Sequence, residues 1–398
     1  MKTLVADAFP EAAIDALKEI GLEVSYQPRL SGSELASAVG DCAILIVRST
    51  KVDADVIAAA DALSLIVRAG AGVNTIDVSA ASARGIFVTN CPGKNSIAVA
   101  ELTLGLLLAV DRRIADNVVD FRAGTWNKSL YSKAEGLAGS VFGIIGFGQI
   151  GQEVARRAKA FDMTVCAWSR SLTPKRAAEF GVEYCASVED LIDRCRIVSL
   201  HCALTSDTRG LMSAERIARM HPGAILLNTA RAEVVDESAL ISALREERIW
   251  AGLDVFAGEP SGKETAIESE LRTLANAVVT HHIGASTEQA QNAVAEEAVR
   301  IVRDYASKGA VHNWVNRSSA TPAKWQLSVR HYDKPGVLAN VLTELKQQNI
   351  NAEELENVIF DGNQTACCTV KLDDRPSEQT LERIRSRIDE VISVSLFP

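Results

Sequence analysis

The chain has 398 residues, 47% of them hydrophobic and 23% charged, the profile of a globular protein with two or three cores and not of a disordered one. A net charge of −9 argues against a nucleic-acid partner, yet a few arginines can still build a local pocket for a small anion. No run approaches about 18 uninterrupted apolar residues, and the opening MKTLVADAFPEAAIDAL lacks the basic-then-apolar pattern of an export signal, so a cytoplasmic protein without membrane contact is expected. The eight cysteines (Cys42, Cys91, Cys166, Cys185, Cys195, Cys202, Cys367, Cys368) form no CxxC pair and have no His-rich companion. Buried, inert thiols and no metal site are expected.

Residues 1–93 alternate compact apolar runs (KTLVAD, AILIVR, LSLIVRAG, IFVTN) with helical patterns such as EAAIDALKEIG and DADVIAAADAL, which marks an α/β unit with a parallel sheet. A helical stretch from about Asn95 to Phe121 is apolar on more than one face, so burial between domains or subunits is expected. SVFGIIGFG opens a second α/β series, continued by TVCAW, IVSLH, AILLN, WAGLDVF and AVVTH. EQAQNAVAEEAVRIVRDYASKG then makes one more amphipathic helix. The small, polar, Pro-containing stretch NRSSATPA, residues 316–323, reads as a linker. Beyond it WQLSVRHYD, VIFDG, QTACCTVKLD and ISVSLF read as strands, with helices starting near Gly336 and Ser377. That βαββαβ order is ferredoxin-like.

Gly146-Phe147-Gly148-Gln149-Ile150-Gly151 is a G-x-G-x-x-G between a strand and a helix. The first Gly permits the tight turn and the second lets backbone approach a pyrophosphate. The third brings helix close to strand, so that helix N-terminal amides face phosphate. Roughly 20 positions further an acidic residue would hold the ribose hydroxyl of NAD. Here the chain reads Ala167-Trp168-Ser169-Arg170 instead. A serine followed by an arginine suits a 2′-phosphate, which leans the cofactor toward NADP. NAD stays open, with Arg170 simply solvated.

Oxidising a hydroxyl-bearing carbon of an anionic substrate with a dinucleotide needs a hydride acceptor, a base for the hydroxyl proton and a cation for the anion. Arg231 follows LLNTA and can clamp a carboxylate with its fork. His282 follows AVVTH and titrates near neutrality. Glu259, in LDVFAGEP, can hold that imidazole and raise its pKa. Singly, each has a dull reading as an ion pair, a structural His beside His281, or a turn residue. All three lie beyond strand C-terminal ends, where open α/β sheets bind ligands.

The runs GFGQIGQEVA, NTARAEVVDESAL, AGLDVFAGEP and HHIGAST resemble the signatures of the D-isomer-specific 2-hydroxyacid dehydrogenases, over essentially residues 1–315. The resemblance implies Arg231, Glu259 and His282 as the catalytic trio. It further implies cofactor contacts at His201, Thr229, Ala230, Asp254, His282 and Gly284, besides the glycine loop and Trp168, Ser169 and Arg170. The implied fold is two Rossmann-like, doubly wound parallel-sheet domains. A nucleotide domain, 94–282, is inserted in a substrate domain made of 1–93 and 283–315. Departures are His281 where Pro is usual and Ala232 where Gly is common; neither removes a reacting group.

Two further arginines, Arg48 in VRST and Arg68 in VRAGAGVN, sit on loops after strands of the first unit. With Arg231 they would match the charge of a phosphorylated hydroxyacid. Both segments are similar to those of the phosphoglycerate dehydrogenases, a branch of the family. That similarity implies that Ala71, Gly72 and Val73 line the substrate pocket and that Lys128 reaches a neighbouring subunit's site, in a homodimer or homotetramer. Residues 324–398 resemble an ACT domain. His331, Asp333 and Asn351 fall where an amino-acid effector such as serine binds at a subunit interface, although Asp333 replaces an amide. A glyoxylate or hydroxypyruvate reductase is the nearest alternative, and a dinucleotide-sensing corepressor the non-enzyme one.

Overall fold

Five strands rich in Val, Ile and Leu open the chain: β1 (Lys2–Val5), β2 (Glu23–Tyr26), β3 (Ile44–Val47), β4 (Leu65–Arg68) and β5 (Phe87–Asn90). They form an all-parallel sheet of order β2-β1-β3-β4-β5, a doubly wound arrangement. Helices cover both faces, so β3 is buried at every residue and needs no polar alternation. The structure is a computed structural model that describes residues 1–260, 265–318 and 320–398.

The second sheet holds β6 (Val141–Ile145), β7 (Thr164–Trp168), β8 (Glu183–Tyr184), β9 (Ile197–Leu200), β10 (Ile225–Asn228), β11 (Trp250–Leu253) and β12 (Ala277–Val279). All are parallel, in the order β12-β11-β10-β9-β6-β7-β8. β6 thus lies where the winding reverses, and the glycine turn leaves its C-terminal end at that switch point. After β12 the helix Glu288–Lys308 packs back on the first sheet. Its Val294, Ala298, Val299 and Ile301 share a core with Leu17, Ile44 and Val67. Each fully buried aliphatic side chain there contributes about 1.5–3 kcal/mol.

The helical stretch expected over Asn95–Phe121 is two helices, Ser96–Asp111 and Ile114–Arg122. Arg113 breaks it with a left-handed backbone, φ +50°. Its guanidinium lies over the Tyr131 and Trp250 rings and pairs with Asp116. Those contacts offset part of the cost of the conformation.

Residues Met1–Asn316 form one unit and Arg317–Pro398 another. Asn316, the first residue of the expected linker, is fastened to β5: its Oδ1 accepts from Val88 N (2.9 Å) and its amide donates to Ile86 O (2.9 Å). Ser319, within that linker, lies outside the described residues. The second unit has β13 (Trp325–Tyr332), β14 (Ala352–Ile359), β15 (Thr365–Leu372) and β16 (Val391–Phe397) in the antiparallel order β14-β15-β13-β16, the ferredoxin-like arrangement. Helices Val337–Lys346 and Glu378–Arg387 close one face over Leu327, Val329, Cys368 and Val370. No helix among the described residues is long and apolar enough to cross a membrane. All eight cysteines are free thiols.

Candidate active site

The glycine turn is built by contacts that side chains would break. Gly146 has φ +97°, and a Cβ there would stand 2.6 Å from the Cys202 backbone nitrogen and 2.7 Å from the His201 carbonyl oxygen. One on Gly151 would stand 2.3 Å from Gly146 O, so helix Gln149–Ala160 sits directly on its own turn. Beside Gly148 nothing lies within 4 Å, leaving space for a ligand to approach the backbone. Ile150 packs on the core of the second sheet, and the Gln149 carboxamide presses on Gly93. His201 donates or accepts with Ser199 Oγ through Nε2 (2.7 Å), while its Nδ1 is buried without a partner. Burial lowers its pKa to about 3, so it is a neutral imidazole. A dinucleotide fits this cradle: open backbone for phosphate, helix amides behind it, and an orphaned ring nitrogen alongside.

Trp168 ends β7 half-buried, followed by Ser169 and Arg170. Arg170 is turned to the exposed Asp207, Nη1 to Oδ2 2.7 Å, with the two side chains 65% and 64% exposed.

His282 stands on a turn held by Asp254. The buried Asp254 carboxylate accepts from Thr280 Oγ1 (2.6 Å), Ile283 N (2.8 Å) and Gly284 N (2.8 Å), and its carbonyl accepts from His282 N (2.9 Å). These bonds impose φ +52° on His282, a conformation uncommon for a residue with a side chain. Asp254, implied as a cofactor residue, thus uses both oxygens to shape the turn that carries His282. His282 Nδ1 donates to Glu259 Oε2 at 2.7 Å, which leaves Nε2 for a substrate. That hydrogen bond raises the His282 pKa; burial and the positive Arg231 oppose the rise, and the charge of Glu259 adds to it. A base must be neutral to accept a proton, so an oxidation that uses His282 as its base should rise with pH through a pKa above the ordinary imidazole value. Glu259→Gln should move that acid limb to lower pH, as a kcat/KM profile would show.

Arg231 belongs to a turn stitched by Asn228, whose Oδ1 accepts from Ala230 N (3.0 Å) and whose amide donates to Arg231 O (2.9 Å). Thr229 shares a hydroxyl bond with Thr103 of helix Ser96–Asp111 (3.0 Å). The Arg231 guanidinium lies over Gly72: a Cβ there would be 2.6 Å from Nη2. Arg68 likewise folds over Gly70, where a Cβ would meet its Nη1 at 1.6 Å. Burial first, then the charges of Arg231 and Arg48, lowers the Arg68 pKa, and its Nε is buried without a partner. Arg68 and Arg231 thus fold over the same 70–72 loop, close enough to Arg48 for the like charges to be felt, a convergence that an anion would relieve. Gly70→Ala should displace Arg68 and raise the substrate KM roughly 10-fold or more, the worth of one charge-assisted bond. Cofactor titration of the same variant should be unchanged.

Ala71 and Val73 lie on the same loop: Asn90 donates to Ala71 O (2.5 Å), and Val73 packs on the cluster that includes Leu45, Val52 and Ile76. Lys128 begins an exposed helix, Lys128–Tyr131, and does not join the arginines. In the second unit His331 is buried, with Nδ1 on Tyr332 O (2.8 Å) and Nε2 on Asn357 Oδ1 (3.2 Å). Asp333 is exposed, its amide donating to Gln364 O (2.9 Å). Asn351 donates to Glu353 (2.7 Å) at the Leu372 end of β15, whereas His331 pairs with Ala366. The separation along the strand is roughly 20 Å.

Missed by sequence are Asp7, Asn228 and Glu237. Asp7, after β1, accepts from the backbone of Arg48 (2.6 Å), Ser49 (3.0 Å) and Thr50 (2.9 Å), so it holds the loop of Arg48. Burial opposes its charge, but these bonds win and lower its pKa. A polar residue just past a strand was the only signal.

The family described as D-isomer specific 2-hydroxyacid dehydrogenase, NAD binding domain, matches residues 104–284. D-3-Phosphoglycerate dehydrogenase of Methanocaldococcus jannaschii is 38% identical over 91% of this chain and 68% of its own length. Hydroxypyruvate reductase of Thermotoga maritima is 43% identical over 70% of this chain and 89% of its own. NAD+-bound 3-phosphoglycerate dehydrogenase of Entamoeba histolytica superposes with a TM-score of 0.67 at 28% identity, covering 80% of this chain and 99% of that one. Of several phosphoglycerate dehydrogenases that match, the chain spans 56% to 68% of the length. The chain belongs to the D-isomer specific 2-hydroxyacid dehydrogenases. It is a nicotinamide-dependent oxidoreductase.

Proposed function

We propose that the chain is a D-3-phosphoglycerate dehydrogenase, oxidising 3-phospho-D-glycerate to 3-phosphohydroxypyruvate, the first step of phosphorylated L-serine biosynthesis in the cytoplasm. The observation that carries this reading is the gathering of Arg48, Arg68 and Arg231 with a buried, unpartnered Arg68 Nε. One guanidinium suffices for a carboxylate; two more match a phosphate of nearly two charges. The reductase reading is favoured by the Thermotoga maritima relative, and the arginines separate the two. Arg48→Ala and Arg68→Ala should raise KM for 3-phosphoglycerate about 10- to 100-fold, from about 1.5–3 kcal/mol per charge-assisted bond, and raise that for hydroxypyruvate far less. Equal losses on both substrates would favour the reductase.

In this reading Arg231 fixes the carboxylate and polarises the C2 oxygen. His282 Nε2 takes the hydroxyl proton, and Glu259 stabilises the imidazolium that forms. The bound nicotinamide supplies the acceptor for the C2 hydride, so two electrons leave the substrate as its proton passes to His282. Gly146, Gly148, Gln149, Ile150, Gly151, His201, Thr229, Ala230 and Gly284 hold the cofactor. Arg170 leans the choice toward NADP, while Asp207 opposes it by charge. The exposed pair is worth only about 0–1 kcal/mol, less than a bond to phosphate. Asp207→Asn should therefore lower KM for NADP and leave that for NAD unchanged, in steady-state rates with each cofactor.

The domain division follows from the same reading: 1–93 with 283–315 for substrate, 94–282 for cofactor, and 324–398 as an ACT domain. His331 and Asp333 stand at one end of its sheet and Asn351 at the other, so a serine touching all three needs a second copy, in a homodimer or homotetramer. A chain ending at Asn316 keeps the bonds to β5 and every catalytic residue. It should stay active and lose any response to serine, as activity with and without serine and light scattering would show.

A further inference from the structure

Glu237 is drawn into the catalytic loop although it belongs to another element. It is the first residue of helix Glu237–Arg245, whose N-cap is Asp236. Its Oε2 accepts from Ala257 N at 2.5 Å, on the loop that leaves β11 and carries Glu259. The preceding amide, Phe256 N, is taken by Glu259 Oε1 itself at 3.1 Å, while Glu259 Oε2 faces His282. Two consecutive amides of one turn are thus held by two different carboxylates. Gly258 follows with φ +77°, so the turn is tight and Glu259 takes its direction from the backbone at 256–258. Glu237 is half-buried and its pKa is raised, by burial first and then by the charge of Glu259, with the Ala257 amide opposing. Like charges repel, and the pair is held by an amide of the shared turn on each carboxylate, with His282 as a further partner of Glu259.

We infer that Glu237 is a positioning residue for catalysis, which fixes the 256–259 turn so that Glu259 meets His282 Nδ1. Its carboxylate is spent on Ala257 N, so it acts through Glu259. The inference rests on the catalytic reading of Glu259 and His282 and not on the choice of substrate. The groups that set the His282 titration are Glu259, Arg231 and Asp254. Glu237 enters through the first of them. When the turn loosens, the Glu259–His282 bond weakens and the His282 pKa falls. The acid limb of kcat/KM in the oxidation direction then moves to lower pH, in the same sense as for Glu259→Gln but by less.

The test measures pH profiles of kcat/KM in the oxidation direction, with 3-phosphoglycerate or D-glycerate, whichever is turned over, for Glu237→Ala, Glu237→Asp and Glu237→Gln. Each is made alone, and Glu237→Ala also in the Glu259→Gln background. Ala removes the acceptor and Asp withdraws it, so both should lower kcat roughly 10-fold, in line with the cost of a small misplacement, and move the acid limb down. Gln keeps an oxygen acceptor for Ala257 N and should restore both to near wild type. In the Glu259→Gln background Glu237→Ala should add nothing, because the group it positions is gone. An unshifted limb in Glu237→Asp, a Gln variant no better than Ala, or fully additive losses would each overturn the inference. Full activity in Glu259→Gln alone would instead sink the catalytic reading beneath it.

Discussion

His282→Asn should lose about 10²–10⁴-fold in turnover while the dissociation constant for the cofactor stays near that of the parent. Asn is the informative replacement because the position has φ +52°, held by the bond from its own N–H to Asp254 O. Asn visits this left-handed region more readily than Ala, so the turn survives and only the proton acceptor is lost. Nδ1 is committed to Glu259, so the missing function is that of Nε2. The variant should also lose the acid limb of its pH profile, since the group that titrates is absent. Pre-steady-state hydride transfer and cofactor fluorescence measure the two halves separately. Turnover within tenfold of the parent would remove His282 from the mechanism, and the neighbouring His281 would then be tested by the same substitution.

The sheets were legible in the sequence where strands are buried on both faces. AILIVR, LSLIVRAG, SVFGIIGFG and AILLN each contain a strand found in the structure, because a covered parallel strand has no polar face to interrupt the apolar run. β2 and β8 escaped notice, and both lie at sheet edges. EVSY is partly exposed throughout, and Glu183–Tyr184 is too short to carry a pattern. β14 was seen only at its end, as VIFDG, since AEELENVI is an exposed edge strand full of carboxylates. The strand exits located Arg231, Glu259 and His282, but not what holds them. Asp7, Asn228 and Glu237 act on backbone amides brought close by the fold, and no local spacing announces such contacts. Arg170 shows the converse: Asp207, its partner, is far along the chain.

Arg231→Lys should reduce kcat/KM for the hydroxyacid by about 10²–10³-fold, although charge is kept. The Arg231 fork is not free to swing. Nη1 donates to Ala230 O at 2.5 Å, Nη2 lies over Gly72, and Asn228 ties the backbone at Arg231 O. The guanidinium is thereby held beside Gly72 and close enough to His282 for its charge to be felt there. An ammonium offers three donors from one point. Held on a flexible stem, it cannot fill the Ala230 bond and a forked carboxylate contact together. Arg231 also lowers the His282 pKa by its charge, and a lysine there keeps that influence only if it stays in place. The two losses separate by measurement. A fall in kcat/KM with an unmoved acid limb means that geometry alone was lost; a limb displaced to higher pH means that the charge has moved away as well. Near-parental efficiency in Arg231→Lys would show that a point charge is enough, and the carboxylate clamp would then have to be sought at Arg68, whose Nε lies buried and unpartnered beside it.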